Sequence, residues 1–548
     1  MTRGSAGALV AVALVSGLAL RCARLDARPM HHDEANQAVK FGALLEHGEY
    51  RYDFRDHHGP TLYYLTLPAA AVRGQTTLAS LDEWTLRGVP AAFGAASILL
   101  LSLLTPAIGR TAVALGAWLL ALSPAMVFYS RMFIQEPLFA CFTLAFLIAS
   151  GRLATGGGSG WAVMTGAALG LMVATKETSA IVVPAALVAC ALAAWSMPRT
   201  ESRPRIGLPT GRLLLAAIVG AVLVAALFYS SFFTNPAGLV DPFRAALTYL
   251  DRGIAPENHV QPWHYYLGLL AYSSSGGLTW SEGLVLVLAA VGAASALRTV
   301  DPAQPLRAFW TRYLAAYVVL ALAIFSAIRY KTPWNLLPFY IAAIALAGIG
   351  FAAVLDAARS RFLRVALTAA AAMGTALLGW QAWRASVVYA ADPRNPYVYA
   401  QTVPDAVRMA ARIRDLAALH PSGTLMQVSV FAPPHEQWPL PWYLRTMPNV
   451  GYWTEPGDPL AMQAPVIVSS MRFTAALDEV LGDAYVSEFY GLRPDVLQVL
   501  YVERGLWDRL LASVTGSAGL SGGGVHEEPP EGGPHHVTPG GPHGERTR

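Results

Sequence analysis

The sequence predicts a polytopic α-helical membrane protein of about eleven spans, followed by a smaller α/β domain. Three observations carry this reading. Of 548 residues, 54% are hydrophobic and only 14% charged, against roughly 25% charged in an ordinary soluble domain. Apolar runs near the ~20 residues needed to cross a bilayer recur through the first 385 positions. Beyond them the pattern changes to short β-branched runs alternating with an amphipathic stretch.

The apolar runs fall at about 5–20, 86–105, 111–128, 133–150, 160–175, 179–196, 213–233, 278–297, 313–328, 334–355 and 365–385. Arg21 precedes Cys22 where a lipoprotein signal wants a small residue, so the first run is expected to stay as a span. Segment 53–73 is apolar but short and Pro-interrupted, which suggests an interfacial helix. Residues 263–277 are a second interfacial or re-entrant candidate.

Arginines set the orientation. With the N-terminus cytoplasmic, the inner turns hold Arg3, Arg110, Arg152, Arg199, Arg298, Arg307, Arg359 and Arg361 among others, the positive-inside pattern. An odd number of spans then places loop 21–85 and everything after 385 outside an inner membrane.

Residues 386–515 read as an extracytoplasmic α/β domain. Asp405 to Leu419 has helical amphipathicity, while 425–430 and 465–469 read as buried strands. Val499, Val502 and Leu506 suggest a closing helix, with a strand as the alternative. From Gly516 to 548 the chain is Gly, Pro, His and Glu without apolar periodicity, and disorder is expected. The net charge of +4 is scattered over loops, which speaks against nucleic acid as a partner. The three cysteines lie in or beside apolar runs and fit no disulfide or zinc spacing.

The chemistry-bearing residues collect at the expected outer turns. Asp33 and Glu34 open the first loop, and Glu136 opens the second. Carboxylates there suit a general base for an acceptor hydroxyl, or oxygen ligands for a divalent cation such as Mg or Mn held by Asp33 and Glu136. Adjacent helical residues diverge by about 100°, so Asp33 is assigned the chemistry and Glu34 an orienting or binding role. Asp33 as a helix-capping acid is the plainer alternative.

The chain has three lysines, and two of them, Lys176 and Lys331, stand in outer turns with Arg131 and Arg329. Cations there run against the orientation signal, and a shared phosphate ligand would account for them; snorkelling to headgroups is the bland alternative. Five histidines (His31, His32, His47, His57, His58) crowd the first loop. Substrate hydrogen bonding by His31, His32, His57 and His58 is favoured over a zinc site, since no His-Glu-x-x-His motif is present.

These residues carry a resemblance. His31-His32-Asp33-Glu34-Ala35, Asp56-His57-His58-Gly59-Pro60, Thr175-Lys176-Glu177-Thr178 and Gln437-Trp438-Pro439-Leu440-Pro441-Trp442-Tyr443-Leu444 resemble C-type (GT-C) membrane glycosyltransferases. That group includes protein O-mannosyltransferases and lipid A aminoarabinose transferases; the nearest likeness is to flippase-activity-associated proteins of archaeal-type glycan pathways. It covers the chain to about residue 510. The resemblance implies sugar transfer from a polyprenyl-phosphate carrier to a lipid, glycan or protein acceptor at the outer face. It makes Asp33 the base or a metal ligand. Arg131, Lys176, Glu177, Arg329 and Lys331 become carrier or substrate contacts. Glu136 stands where relatives often show Asp or Asp-x-Asp.

Two other functions compete. A lipid-linked glycan flippase needs a polar path across the bilayer, yet ionisable residues here collect at span ends. A zinc-dependent membrane hydrolase would use the first-loop histidines and would reveal itself by bound metal. Trp438, Trp442, Tyr443, Tyr452 and Trp453 suit sugar stacking, although core packing explains most such aromatics.

Overall fold

A computed structural model describes residues 1–48, 50–53, 58–197, 206, 207, 209–244, 247, 259–298, 301 and 303–520. Helices cover each of the eleven expected runs. Among the described residues seven are long and apolar enough to cross a membrane by themselves: Arg3–Cys22, Glu83–Ile108, Glu136–Ala154, Gly211–Tyr229, Pro305–Ala327, Pro333–Ala357 and Arg361–Val388. The other four, Arg110–Leu122, Ser159–Val173, Ser179–Trp195 and Gly283–Ser295, are shorter apolar helices.

The breaks have local causes. Run 111–128 stops at Ser123, whose hydroxyl accepts the Met126 N–H, and a new helix starts at Pro124. Residues 278–280 pair with 273–275 as a hairpin instead of joining the helix that begins at Gly283. The short helix expected near 60–72 is present as Thr61–Val72.

The helix Leu337–Ala357 lies at the centre, buried at every position from Leu337 to Ala352. Small residues let its neighbours approach. A Cβ on Gly350 would sit 2.0 Å from the Leu288 carbonyl oxygen, and one on Gly348 would sit 2.2 Å from that of Ala112. Buried Glu282 ties the bundle to the segment that follows it. Its carboxylate accepts from the hydroxyls of Ser123 (2.6 Å), Tyr340 (2.5 Å) and Tyr397 (3.0 Å) and from the Ala125 N–H (2.8 Å).

The turns sort into two ends. At one, Gly59 N–H bonds the Thr175 carbonyl (3.1 Å), Phe133 N–H bonds Glu34 (2.9 Å) and Lys331 N–H bonds the His259 carbonyl (2.9 Å). At the other, Arg152 reaches the Leu103 carbonyl (2.7 Å), Arg312 that of Ser196 (2.7 Å), and Arg307 pairs with Asp356 (3.1 Å).

After Val388 the chain builds a five-stranded sheet: β1 (Val428–Phe431), β2 (Val450–Trp453), β3 (Val466–Ser470), β4 (Tyr485–Arg493) and β5 (Val496–Glu503). Their order is β2-β1-β3-β5-β4, parallel across β2, β1 and β3 and antiparallel from there on. Helices Pro404–Leu419 and Arg504–Leu520 pack on the face that carries Val428, Val430, Val466, Val468, Leu500 and Val502. Val499 and Tyr501 point to the opposite face with Ile467 and Leu477. This is strand periodicity, so the closing helix suggested by Val499 and Val502 begins only at Arg504. That helix continues to Leu520, past the boundary expected at Gly516; the rest of the expected tail lies outside the described residues.

The sheet region docks on the first loop through the aromatic motif 437–444. Tyr443 Oη accepts the Met30 N–H (2.7 Å), and Trp442 Nε1 donates to Glu83 (3.0 Å). Arg445 lies 3.7 Å over the Trp442 ring and donates to the Leu81 carbonyl (2.7 Å). Gln401 donates to the Pro29 carbonyl (2.9 Å).

Candidate active site

Asp33 and Glu34 open helix His32–His47, and its first turn decides what each can do. His31 is the N-cap: its Nδ1 accepts the Asp33 N–H (3.0 Å), while Glu34 accepts the His31 N–H (3.0 Å). The other ring nitrogen, Nε2, lies 3.0 Å from the Tyr399 carbonyl oxygen. Asp33 is therefore two positions beyond the cap, and its side chain is not the capping group.

Glu34 is enclosed, with no exposed surface. Arg87 grips both oxygens (2.7 and 2.9 Å), Phe133 N–H adds a bond at 2.9 Å, and Arg28 approaches to 3.4 Å. Burial pushes this carboxyl up, but Arg87 and Arg28 outweigh it and hold it at about 2. The role expected of Glu34 beside the chemistry has no open face here; Glu34 instead locks the first loop onto the bundle. Neither arginine was among the expected site residues. Arg87 did leave a signal, a lone charge inside an apolar run.

Asp33 is the opposite. Its side chain keeps 41% of its surface open. Burial works against its charge, yet His31, His32, His58 and Lys176 more than compensate, so its pKa lies below the usual carboxylate range. Asp33 and Lys176 thus lie at the same end of the bundle, close enough to interact. Nearby, Lys176 is buried and ion-paired with Glu136, and its Nζ also donates to Asn335 (3.1 Å). Glu177 accepts from Tyr52 (3.0 Å) and from His58 Nδ1 (2.8 Å), which fixes that imidazole.

Other candidates sit elsewhere. Arg131 donates to the carbonyls of Leu20 (2.8 Å), Arg21 (3.0 Å) and Arg24 (3.3 Å), closing the C-terminal end of the first span where a cation meets the helix dipole. Lys331 donates to the Gln261 (3.1 Å) and Ile328 carbonyls and holds its own turn. Arg329 is exposed beside that turn. His57 lies outside the described residues. Among the described residues no three His, Cys, Asp or Glu side chains are grouped to hold a metal ion. With Glu136 joined to Lys176, the pair proposed for Mg or Mn does not fit one, and no step is derived through a metal.

The far wall combines Trp438, named from the sequence, with Trp334, His259, Tyr399 and Arg493, which sequence reasoning missed. Trp334 stands edge-on to His31 at 5.7 Å, and His259 Nδ1 bonds Tyr399 Oη (2.5 Å). From the sheet, Trp438 lies 6.1 Å from the His32 ring, and Arg493 at the end of β4 reaches His32 Nδ1 at 3.4 Å. Trp442 is fully buried and Tyr443 is bonded to Met30, so Trp438 is the motif aromatic nearest the site.

Residues 66–224 match the family model described as dolichyl-phosphate-mannose-protein mannosyltransferase. The matched stretch starts after Asp33 and includes Arg131, Glu136, Lys176 and Glu177. No curated protein matches the chain. The fold is similar to that of ArnT from Cupriavidus metallidurans bound to undecaprenyl phosphate. Identity is 18% and the TM-score 0.60, over 92% of this chain and 99% of that one. It is also similar to the oligosaccharyltransferase AglB from Archaeoglobus fulgidus in complex with an inhibitory peptide and a dolichol-phosphate. There identity is 14% and the TM-score 0.54, over 92% of this chain and 77% of the other. The family match covers part of the chain, and the similarity to the two solved structures is one of fold.

Proposed function

We propose that this protein transfers a sugar from a polyprenyl-phosphate carrier to an acceptor hydroxyl at the extracytoplasmic face of an inner membrane, with the N-terminus cytoplasmic. The observation that carries the reading is the open carboxylate of Asp33, ringed by imidazoles and Lys176 at the end of the bundle where the first loop is locked. Two proteins sharing the fold are described with lipid phosphates, undecaprenyl phosphate and dolichol-phosphate, which supports a carrier of that class.

In this reading Asp33 accepts the acceptor's hydroxyl proton as the acceptor oxygen bonds the anomeric carbon. The carbon–oxygen bond to the phosphate breaks, and the phosphate leaves with the electron pair, stabilised by nearby positive charge. One base opposite the leaving group suits an inverting displacement. A carboxylate held below its usual range is fully ionised at neutral pH, although a weaker base for it. Lys176, held by Glu136 and Asn335, is assigned to the carrier phosphate, and residues 386–515 to capping the site from outside.

The test is to incubate purified protein with radiolabelled polyprenyl-phosphate sugars and follow label transfer. Turnover by the wild type and none by Asp33→Asn is expected. Equal turnover in the two would remove Asp33 as the base.

A further inference from the structure

Of the cations that sequence reasoning placed around a carrier phosphate, several are already engaged. Arg131 serves helix-end carbonyls, Lys331 serves turn carbonyls, and Lys176 is ion-paired with Glu136. Lys176, assigned above to the carrier phosphate, shares its charge with Glu136, so a departing phosphoryl group calls for a further positive charge at the site.

Arg493 meets that need. Its Nη2 donates to the His435 carbonyl at 2.9 Å, and its Nη1 makes only a long contact, 3.4 Å, to His32 Nδ1. Among the described residues it forms no ion pair. The nearby Glu436 carboxylate is instead 3.2 Å from Arg472. A guanidinium has five N–H donors in a planar fork, so donors remain for a second ligand. Half-buried at the end of β4, beside the hairpin turn into β5, it rests on a rigid element of the sheet. His32, which it touches, directly precedes Asp33.

We infer that Arg493, contributed by the sheet region, binds the phosphoryl oxygens of a polyprenyl-phosphate carrier across from Asp33. The inference rests on the transferase reading above and deepens it. It makes the region after residue 386 part of the site, not only a lid over it. Bidentate contact between guanidinium and phosphate fits the fork better than a lysine would.

The test measures binding, not turnover. Full-length wild type, Arg493→Gln and Arg493→Lys, in detergent, are titrated with undecaprenyl phosphate, with undecaprenol and with octyl glucuronide. Arg493→Gln should weaken undecaprenyl phosphate binding about tenfold or more, leave undecaprenol unchanged, and keep the wild-type melting temperature. Arg493→Lys should recover part of the loss and keeps the test valid should the glutamine variant fold poorly. Equal undecaprenyl phosphate binding by wild type and both variants overturns the inference and leaves the transferase reading standing. Loss confined to octyl glucuronide also overturns it, in favour of an acidic sugar. A wild type that binds no undecaprenyl phosphate removes the transferase reading itself.

Discussion

Two charge clusters begin one residue apart and end in opposite states. Around Glu34 the charges are enclosed: a bidentate arginine, a second arginine and two backbone N–H groups converge on one carboxylate. Around Asp33 the carboxylate is open, with imidazoles and a lysine near it but no cation gripping it. The first arrangement can only hold position. The second can exchange a proton or meet a ligand. A reactive group needs a rigid neighbour to place it, and here the neighbour is the next residue.

The contrast can be broken in order of expected effect. Glu34→Ala should be the most damaging change, because it leaves two arginines buried without a counter-charge. The expected loss is about 3–5 kcal/mol of stability, read as a fall in melting temperature or loss of folded protein in detergent. Asp33→Asn should do the reverse. Its melting temperature should stay near wild type, within about 0.5 kcal/mol for an open position, while label transfer falls by at least about 10²-fold. A destabilised Asp33→Asn, or a stable Glu34→Ala, would erase the distinction.

Acid should separate the clusters next. Glu34 is held at about 2 in the folded protein, against about 4.3 for a free glutamate. Its stabilisation is therefore complete above about 4.3 and is lost as pH falls toward 2. Melting temperatures measured from pH 6 downward should decline across that window, and Glu34→Gln should flatten this part of the decline. Lys176→Ala should weaken carrier binding about tenfold in an undecaprenyl phosphate titration. The smallest effect is expected of Trp438→Ala. Beside His32 it should lower apparent acceptor affinity by about 0.5–1.5 kcal/mol with little change in melting temperature, measured from transfer rates against acceptor concentration.

Much of the bundle was legible because its signal is one-dimensional: apolar length marks a helix wherever its partners are. The helices depart from the apolar runs at 111–128, where Ser123-Pro124 starts a new helix, and at 278–297, where a hairpin takes the first residues. The strand Val496–Glu503 was half-read as a helix because Val499, Val502 and Leu506 fit either period over so short a window. At the site, Asp33, Lys176, Glu136 and His58 announced themselves as charges at turns. Arg131 and Lys331 announced themselves in the same way yet serve carbonyl oxygens, because sequence shows that a cation is out of place and not what it bonds. Arg493 gave no local sign. It lies 461 residues from the His32 it touches, and only the folded chain brings them together.

The bond between Met30 and Tyr443 joins positions 413 residues apart. During synthesis the opening loop therefore emerges long before the segment that clasps it, and contacts of such separation form late. The end of the molecule that carries Asp33 stays unclasped until the chain has been made and inserted past Tyr443. A half-built chain would then have no competent centre, a safeguard that comes from connectivity alone.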